Sequence, residues 1–145
     1  MIIEIKNKSG RVIHTVTSEY YDDLEQSDLR NANLYCANLY CANLANADLR
    51  GADLSCANLS EANLSGAKLR GAKLYNANLR YSDLNDVDLR EADLSCADLT
   101  GADLQDANLR DADMRYVNLR EADLTDANFT GVMFFDGWKM KKVSK

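Results

Sequence analysis

The chain has 145 residues, of which 46% are hydrophobic and 28% charged, with a formal net charge of −6 at pH 7. This length fits one domain, and the hydrophobic content is sufficient for a continuous core. Glu4 and Lys6 lie inside the short apolar run at the amino end, so we expect neither a secretory signal nor a membrane span and favour a cytoplasmic location. In that compartment the four Cys are expected to be reduced, without disulfide bridges.

The amino-terminal residues have the pattern of a β-hairpin. The segments IIEI (2–5) and RVIHTV (11–16) flank the turn-forming sequence NKSG. We expect residues 1–21 to form a capping hairpin for the repeats that follow. His14 lies on the second run, and a single His on a cap strand is more often structural than catalytic.

A large apolar residue occupies every fifth position from Leu24 to Phe134, in twenty-three consecutive places. On an α-helix, steps of five residues scatter around the axis, which excludes a helix. The residue two positions earlier is Ala in seventeen of the twenty-three cases, and residues two apart face the same side of a strand. Each five-residue group therefore predicts a short strand with a small and a large residue facing inward, followed by a turn. Such a chain forms a β-solenoid.

The residues between the apolar positions repeat at a longer interval of twenty. Five Arg recur at this interval, and we name them the Arg column: Arg30, Arg50, Arg70, Arg90 and Arg110. Cys36, Cys56 and Cys96 follow the same interval. Twenty residues make four five-residue groups per coil, which predicts a square cross-section with equivalent residues stacked about 4.8 Å apart.

The segment ADLRGADLSCANLSEANLSGAKLRGA (47–72) resembles the pentapeptide-repeat family, whose consensus is A(D/N)Lxx. The resemblance covers residues 22–136, where Asn or Asp precedes the central apolar residue in twenty of twenty-three groups; Lys68, Lys73 and Met133 are the exceptions. It implies an all-β fold for these residues, a right-handed quadrilateral parallel β-helix. The hand of the helix follows from the resemblance alone.

The carboxyl end, with residues 137–145 as a cap or tail, is richer in aromatic residues than the coils. One interpretation is a lid in which Phe134 and Trp138 cover the last layer of the core. The other is a homodimer contact that also includes Phe135 and Met140, because exposed aromatic and Met side chains mark contact surfaces. The family resemblance favours pairing through this end, and one segment can serve both purposes.

The sequence contains no pattern of catalytic residues. Ser and Asp follow the repeat, and a single His argues against Ser-His-Asp and Cys-His sites. Five of the seven Gly lie at expected turns, which leaves no phosphate-binding loop. The stacked Cys do not converge as zinc ligands would. We therefore expect no enzyme activity, no cofactor and no metal.

The charges of the coils are unequally distributed. One side, centred on every fourth apolar residue from Leu24 to Leu124, holds nine acids and no base. Six of these acids form two columns that we name the acidic face: Asp83, Asp103 and Asp123 in the inner column, and Asp86, Asp106 and Asp126 in the corner column. The first interpretation is a DNA mimic, a non-enzymatic protein whose acidic face binds a basic DNA-binding protein. The quinolone-resistance members of the family bind gyrase or topoisomerase IV in this way, although this sequence lacks an inserted loop.

Two other interpretations of the acidic face stay open. A charged surface keeps a stacked sheet soluble, so the chain can be a structural rod without a specific ligand. Alternatively, the paired carboxylates bind Ca²⁺ or another cation.

The Arg column also has two interpretations. It can form surface ion pairs with nearby acids, which are Asp28, Asp48 and Asp88 on its own face and Asp53, Asp93 and Asp113 on the next. It can instead bind phosphate, but the negative field of the other coil residues opposes a polyanion. We therefore expect no direct binding of nucleic acid and none of membranes.

Overall fold

The computed structural model describes residues 3–6, 9–16 and 24–135. Strands β1 (Ile3–Lys6) and β2 (Val12–Val16) pair antiparallel, with an irregularity of register between Ile5 and Lys6. They form the expected hairpin. Its role as a cap stays a prediction, since the expected boundaries at residues 21 and 136 lie outside the described residues.

Parallel β-bridges connect residues twenty positions apart throughout the described coils, from Asp28 with Asp48 to Asp113 with Met133. This interval establishes a coil of four five-residue groups. Each group contributes one bridged residue and then turns, so the extended part of a group is shorter than the expected strand. The hand of the coil remains an expectation from the family.

We name the positions of a group in chain order: the small residue, the bridge residue, the central residue, the first turn residue and the corner residue. Every central residue from Leu24 to Met114 is at most 4% exposed, and most of the small residues beside them are buried Ala. The core is therefore a stack of alternating large and small side chains. Burial of each Leu contributes about 1.5–3 kcal/mol of hydrophobic free energy.

Each group closes with a tight turn. The amide of the next small residue donates to the carbonyl of the central residue, as from Ala67 to Leu64 at 3.0 Å. All corner residues from Gln26 to Gly131 have positive φ, and seventeen of them are not Gly. The turn runs from the central residue to the next small residue, so the corner residue is its third residue. A turn in which only the third residue has positive φ is of type II. A side chain there costs roughly 1–2 kcal/mol, so the packed coil maintains a conformation that the isolated residue disfavours.

Backbone hydrogen bonds within and between coils satisfy four of every five consecutive amides. Residues 63–67, from one bridge residue to the next small residue, illustrate this. Three donate to carbonyls of neighbouring coils and one closes the turn. The bonds run from Asn63 to Ala42 (2.9 Å), from Leu64 to Asp83 (2.7 Å), from Gly66 to Asn85 (2.9 Å) and from Ala67 to Leu64 (3.0 Å). The amide of Ser65 is the one that remains.

The bridge residue supplies the fifth acceptor. The amide of Ser65 donates to Oδ1 of Asn63 at 3.0 Å, an Asx turn. The same bond, at 2.9–3.4 Å, recurs in eighteen groups. Lys68 and Lys73 cannot make it, because a Lys side chain has no acceptor. The Asn and Asp of the repeat are therefore part of its hydrogen-bonding scheme.

This role predicts different costs for two neighbouring substitutions. Asn63→Ala should lower the free energy of unfolding by about 1–2 kcal/mol, because the amide of Ser65 loses its acceptor. Lys68→Ala, at the equivalent position of the next group, should lower it by less than about 0.5 kcal/mol. Urea denaturation followed by circular dichroism measures both. Equal losses would contradict the Asx role.

Candidate protein-binding surface

The acidic face is assembled by the coil register. Parallel bridges join Asn63 to Asp83, Asp83 to Asp103 and Asp103 to Asp123. The corner column, Asp86, Asp106 and Asp126, is exposed and has φ of 56–57°. The structure thus stacks both columns in adjacent coils.

The inner column combines a structural bond with a surplus charge. Oδ1 of Asp83 and Oδ1 of Asp103 each accept the amide two residues later at 3.0 Å, and Oδ1 of Asp123 does so at 2.9 Å. Asn63 makes the same bond one coil earlier without a charge. The fold therefore requires the oxygen at these positions, and the negative charge is additional.

The acids of this face differ from other acids in their ion pairing. Within the described residues, no ion pair involves Asp83, Asp86, Asp103, Asp106 or Asp126. The cause lies in the first turn residue, the position that Arg occupies in the paired groups. On the acidic face this position holds uncharged side chains, namely Asn85, Gln105 and Thr125. The groups that carry these carboxylates therefore contain no Lys or Arg to pair with them.

The Arg column, in contrast, is paired with acids. Arg30 and Arg90 each bind the Asp two residues earlier through two nitrogen atoms, with closest distances of 2.6 and 2.7 Å, and Arg50 binds Asp48 in the same way. Arg70 follows a Lys bridge residue and binds Glu91 instead, at 2.7 Å. Arg110 follows Asn108 and binds the adjacent acid, Asp111, at 3.1 Å. This pairing disfavours the phosphate-binding interpretation.

The ion pairs that the structure gives for the acids of the next face involve cations outside the Arg column. Asp53 binds Lys73 at 3.7 Å, and Asp113 binds Arg115 at 2.6 Å. Asp93 makes no ion pair within the described residues. The reason is geometric, because an Asp in the bridge position lies beside the cation of its own group or column.

The ion pairs stabilise the charged form of their carboxylates. The hydrogen bond from Arg30 lowers the pKa of Asp28 to about 2. Hydrogen bonds from the Arg of the same group also lower the pKa of Asp48, Asp88 and Asp113.

The carboxyl end of the described coils exposes part of its core. Phe129 and Phe134 are partly buried, with their ring centroids 6.3 Å apart. Phe135 is 51% exposed and its ring lies 5.2 Å from that of Tyr116. A cleft of about 680 Å³ opens here, lined by apolar residues that include Leu119. Trp138 and Met140 lie outside the described residues, so the lid and the dimer both stay predictions.

Within residues 3–6, 9–16 and 24–135, no three His, Cys, Asp or Glu side chains are grouped so that they could hold a metal ion. No helix in this part of the chain has the length and apolarity of a membrane span. The acidic face is a flat array and does not enclose a cation.

The lowered pKa of Asp88 predicts a pH-dependent contribution to stability. Because the folded-state pKa lies below the ordinary 3.8, the contribution is present above that pH and disappears as the pH falls through the folded-state pKa. At pH 7, Asp88→Asn should lower the free energy of unfolding by about 0.2–1 kcal/mol, since the pair is partly exposed to solvent. Urea titrations from pH 7 to pH 2 should show this difference shrink below pH 3.8. Asp83→Asn, which removes no ion pair among the described residues, should show no such loss; a loss of equal size would contradict the assignment.

The exposed aromatic residues at the carboxyl end provide a test of the dimer interpretation. If this end forms a dimer, Phe135→Ser should shift the molecular mass measured by light scattering from about two chains to one, because an exposed apolar contact is removed. Tyr35→Ser removes an aromatic residue that is 61% exposed at the other end of the rod and should leave the mass unchanged. A monomer in the unsubstituted chain would refute the dimer.

Comparison with known proteins connects this geometry to other repeat proteins. A family model for pentapeptide repeats matches eight copies over residues 23–55, 57–95 and 92–131. The sequence matches no curated protein.

Several solved structures of pentapeptide repeat proteins are similar to this chain in sequence. A pentapeptide repeat protein from the Arabidopsis thaliana thylakoid lumen is 29% identical, with 72% of this chain and 69% of that one covered and a TM-score of 0.42. HetL from the cyanobacterium Nostoc, involved in regulation of heterocyst differentiation, is 36% identical over 79% of this chain, which spans only 58% of HetL, with a TM-score of 0.37. Rfr23 from the cyanobacterium Cyanothece is 28% identical, with 91% and 78% covered and a TM-score of 0.42.

The family match and the structure agree in the position and length of the repeats. The matched repeats cover most of the described coils, and the bridges repeat at the interval of four such repeats. The chain belongs to the pentapeptide-repeat family.

Proposed function

We propose that this chain is a non-enzymatic interaction protein that imitates DNA, and that its acidic face binds a basic, DNA-binding surface of another protein. The observation that carries the proposal is the difference in ion pairing between the faces. Nine acids elsewhere in the described coils bind Arg or Lys, whereas five of the six carboxylates on this face have no such partner within the described residues. Uncompensated charge at regular spacing is the feature that a basic surface can recognise.

The spacing of these charges is comparable to that of duplex DNA. Six carboxylates are distributed over three adjacent coils, and two coil steps measure about 10 Å. Duplex DNA carries one charge per about 1.7 Å of its axis, hence about six charges over the same length. A surface that holds DNA through several phosphates can therefore form a similar number of contacts with the acidic face.

The chemistry of the fold also supports this role. The turn at Asp83, Asp103 and Asp123 needs only a side-chain oxygen, which Asn supplies at Asn63 in the same column. The charges thus exceed what the hydrogen bonds of the coil require. Their mutual repulsion opposes folding and is relieved when a cationic partner binds.

The partner that this chemistry favours is a protein with a basic groove for duplex DNA, in the cytoplasm of a bacterium. The resemblance to the quinolone-resistance members of the family suggests a gyrase- or topoisomerase-like protein. Recognition is by charge and shape, so it requires neither a cofactor nor a catalytic group. The described coils contain no inserted loop, so the contact is made by the flat face itself. A homodimer through the carboxyl end would double the length of this face.

The corner column offers the cleanest test because its carboxylates make no Asx turn. Asn suits this position, since Asn31, Asn46 and Asn76 occupy it with positive φ. The test variant changes three residues: Asp86→Asn, Asp106→Asn and Asp126→Asn. The matched control removes the same charge from corner residues of other faces: Glu61→Gln, Glu91→Gln and Glu121→Gln.

Both variants and the unsubstituted chain serve as bait in a bacterial lysate at roughly 50 and 200 mM salt. We expect the unsubstituted chain to retain a DNA-binding protein at low salt and to lose it at high salt. The test variant should retain at least about tenfold less of it, because charge dominates the contact, while the control retains it. Equal retention by all three chains would refute the proposal and favour a rod without a specific ligand.

A further inference from the structure

A second surface feature lies at one corner of the solenoid, where Cys36 and Cys56 occupy equivalent positions of adjacent coils. Asn33 and Asp53, three residues before them, pair in parallel, and the amide of Cys36 donates to the carbonyl of Ser55 at 2.9 Å. Their φ angles are nearly equal, at 54° and 59°. The two cysteines are therefore related by a translation of one coil step, about 4.8 Å.

The side chains around the two thiols are polar and accessible. Both cysteines are free; Cys36 is exposed and Cys56 is half-buried. Tyr35 directly precedes Cys36 in the chain, and its side chain is exposed. Nδ2 of Asn76 in the next coil donates to Sγ of Cys56 at 3.8 Å. This last contact shows that side chains of this column reach their neighbours along the rod.

A disulfide does not suit this pair. In a disulfide the Cβ atoms lie about 3.5–4.5 Å apart and the sulfurs about 2.05 Å apart. Their nearly equal φ angles favour the same side-chain direction for both, and side chains that run parallel at one coil step have both pairs of atoms about 4.8 Å apart. Bond formation would require the coils to move together.

We propose that Cys36 and Cys56 form a binding site for one soft monovalent cation of the Cu(I) class. A zinc–thiolate bond is about 2.3 Å long, and with a bond of similar length two sulfurs on opposite sides of one Cu(I) ion are roughly 4.6 Å apart. This separation agrees with the coil step. Thiolates select Cu(I), and two of them in line complete the coordination of this ion. Zinc requires four ligands and does not fit.

The binding step is a proton exchange without electron transfer. Each thiol loses its proton as its sulfur bonds the ion, so one Cu(I) releases two protons and binding strengthens as the pH rises. Asn76 donates to a ligand sulfur, as outer-shell groups of metal sites do. The net charge of −6 favours a cation.

The other two cysteines provide internal controls. Cys96 lies in the same column, but Asn76 separates it from Cys56 by two coil steps, about 10 Å. Cys41 lies on the next corner, where its thiol donates to Oε2 of Glu61 at 3.7 Å. Neither has a second thiol in an adjacent coil of its own column.

Anaerobic titration of the full chain with Cu(I), in competition with a chromophoric Cu(I) chelator, tests the site. We expect one tightly bound ion by native mass spectrometry. Cys36→Asn and Cys56→Asn should each weaken binding more than about 100-fold, since loss of an outer-shell partner alone costs roughly 10- to 100-fold. Asn is chosen because Asn76 occupies this column naturally. Cys96→Asn should bind as the unsubstituted chain does.

A measurement without substitutions gives an independent result. Cu(I) should protect Cys36 and Cys56, but not Cys41 or Cys96, from alkylation mapped by peptide mass spectrometry. Protection of all four thiols, binding of one ion per thiol, or equal weakening by Cys96→Asn would overturn the proposal.

Discussion

The structure depends on one requirement, that five amides per group find acceptors in a chain that turns after every five residues. Regular strands are too short here to pair all of them. Three amides bind the adjacent coils, one closes the turn, and the side chain of the bridge residue accepts the last. The Asx bond therefore determines the second position of the repeat as firmly as core packing determines the first and third.

Within this requirement, the charge of the surface depends on the bridge residue and the first turn residue of each group. Asn and Asp both supply the acceptor, so the charge of the bridge residue varies without loss of the turn, as Asn63 and Asp83 demonstrate. An Arg at the first turn position neutralises an Asp of its own group, as Arg90 does with Asp88. The acidic face lacks such an Arg and remains negative. The face is negative because one position of each group adds the charge of an Asp, while the first turn position holds no Arg that would neutralise it.

The repeat alone predicted the core, the small residues beside it and the twenty-residue coil, because each of these follows from side-chain size or from recurrence. It did not reveal that bridge residues act as acceptors, since the pattern shows which residues recur but not what they bond. Nor did it indicate positive φ at Glu61 or Tyr81, whose side chains disfavour that conformation and adopt it only within the packed coil. The partner of Arg70 was also unpredictable, because it depends on a local exception, Lys68, and on a contact one coil away.

If the chain imitates DNA, its acidic face and duplex DNA compete for one surface on the partner. Fluorescence anisotropy of labelled duplex DNA, bound to the protein retained from the lysate, measures this competition. We expect the unsubstituted chain to displace the DNA, and the variant neutralised at Asp86, Asp106 and Asp126 to require at least about tenfold higher concentration. Simultaneous binding of DNA and this chain to the partner would contradict it.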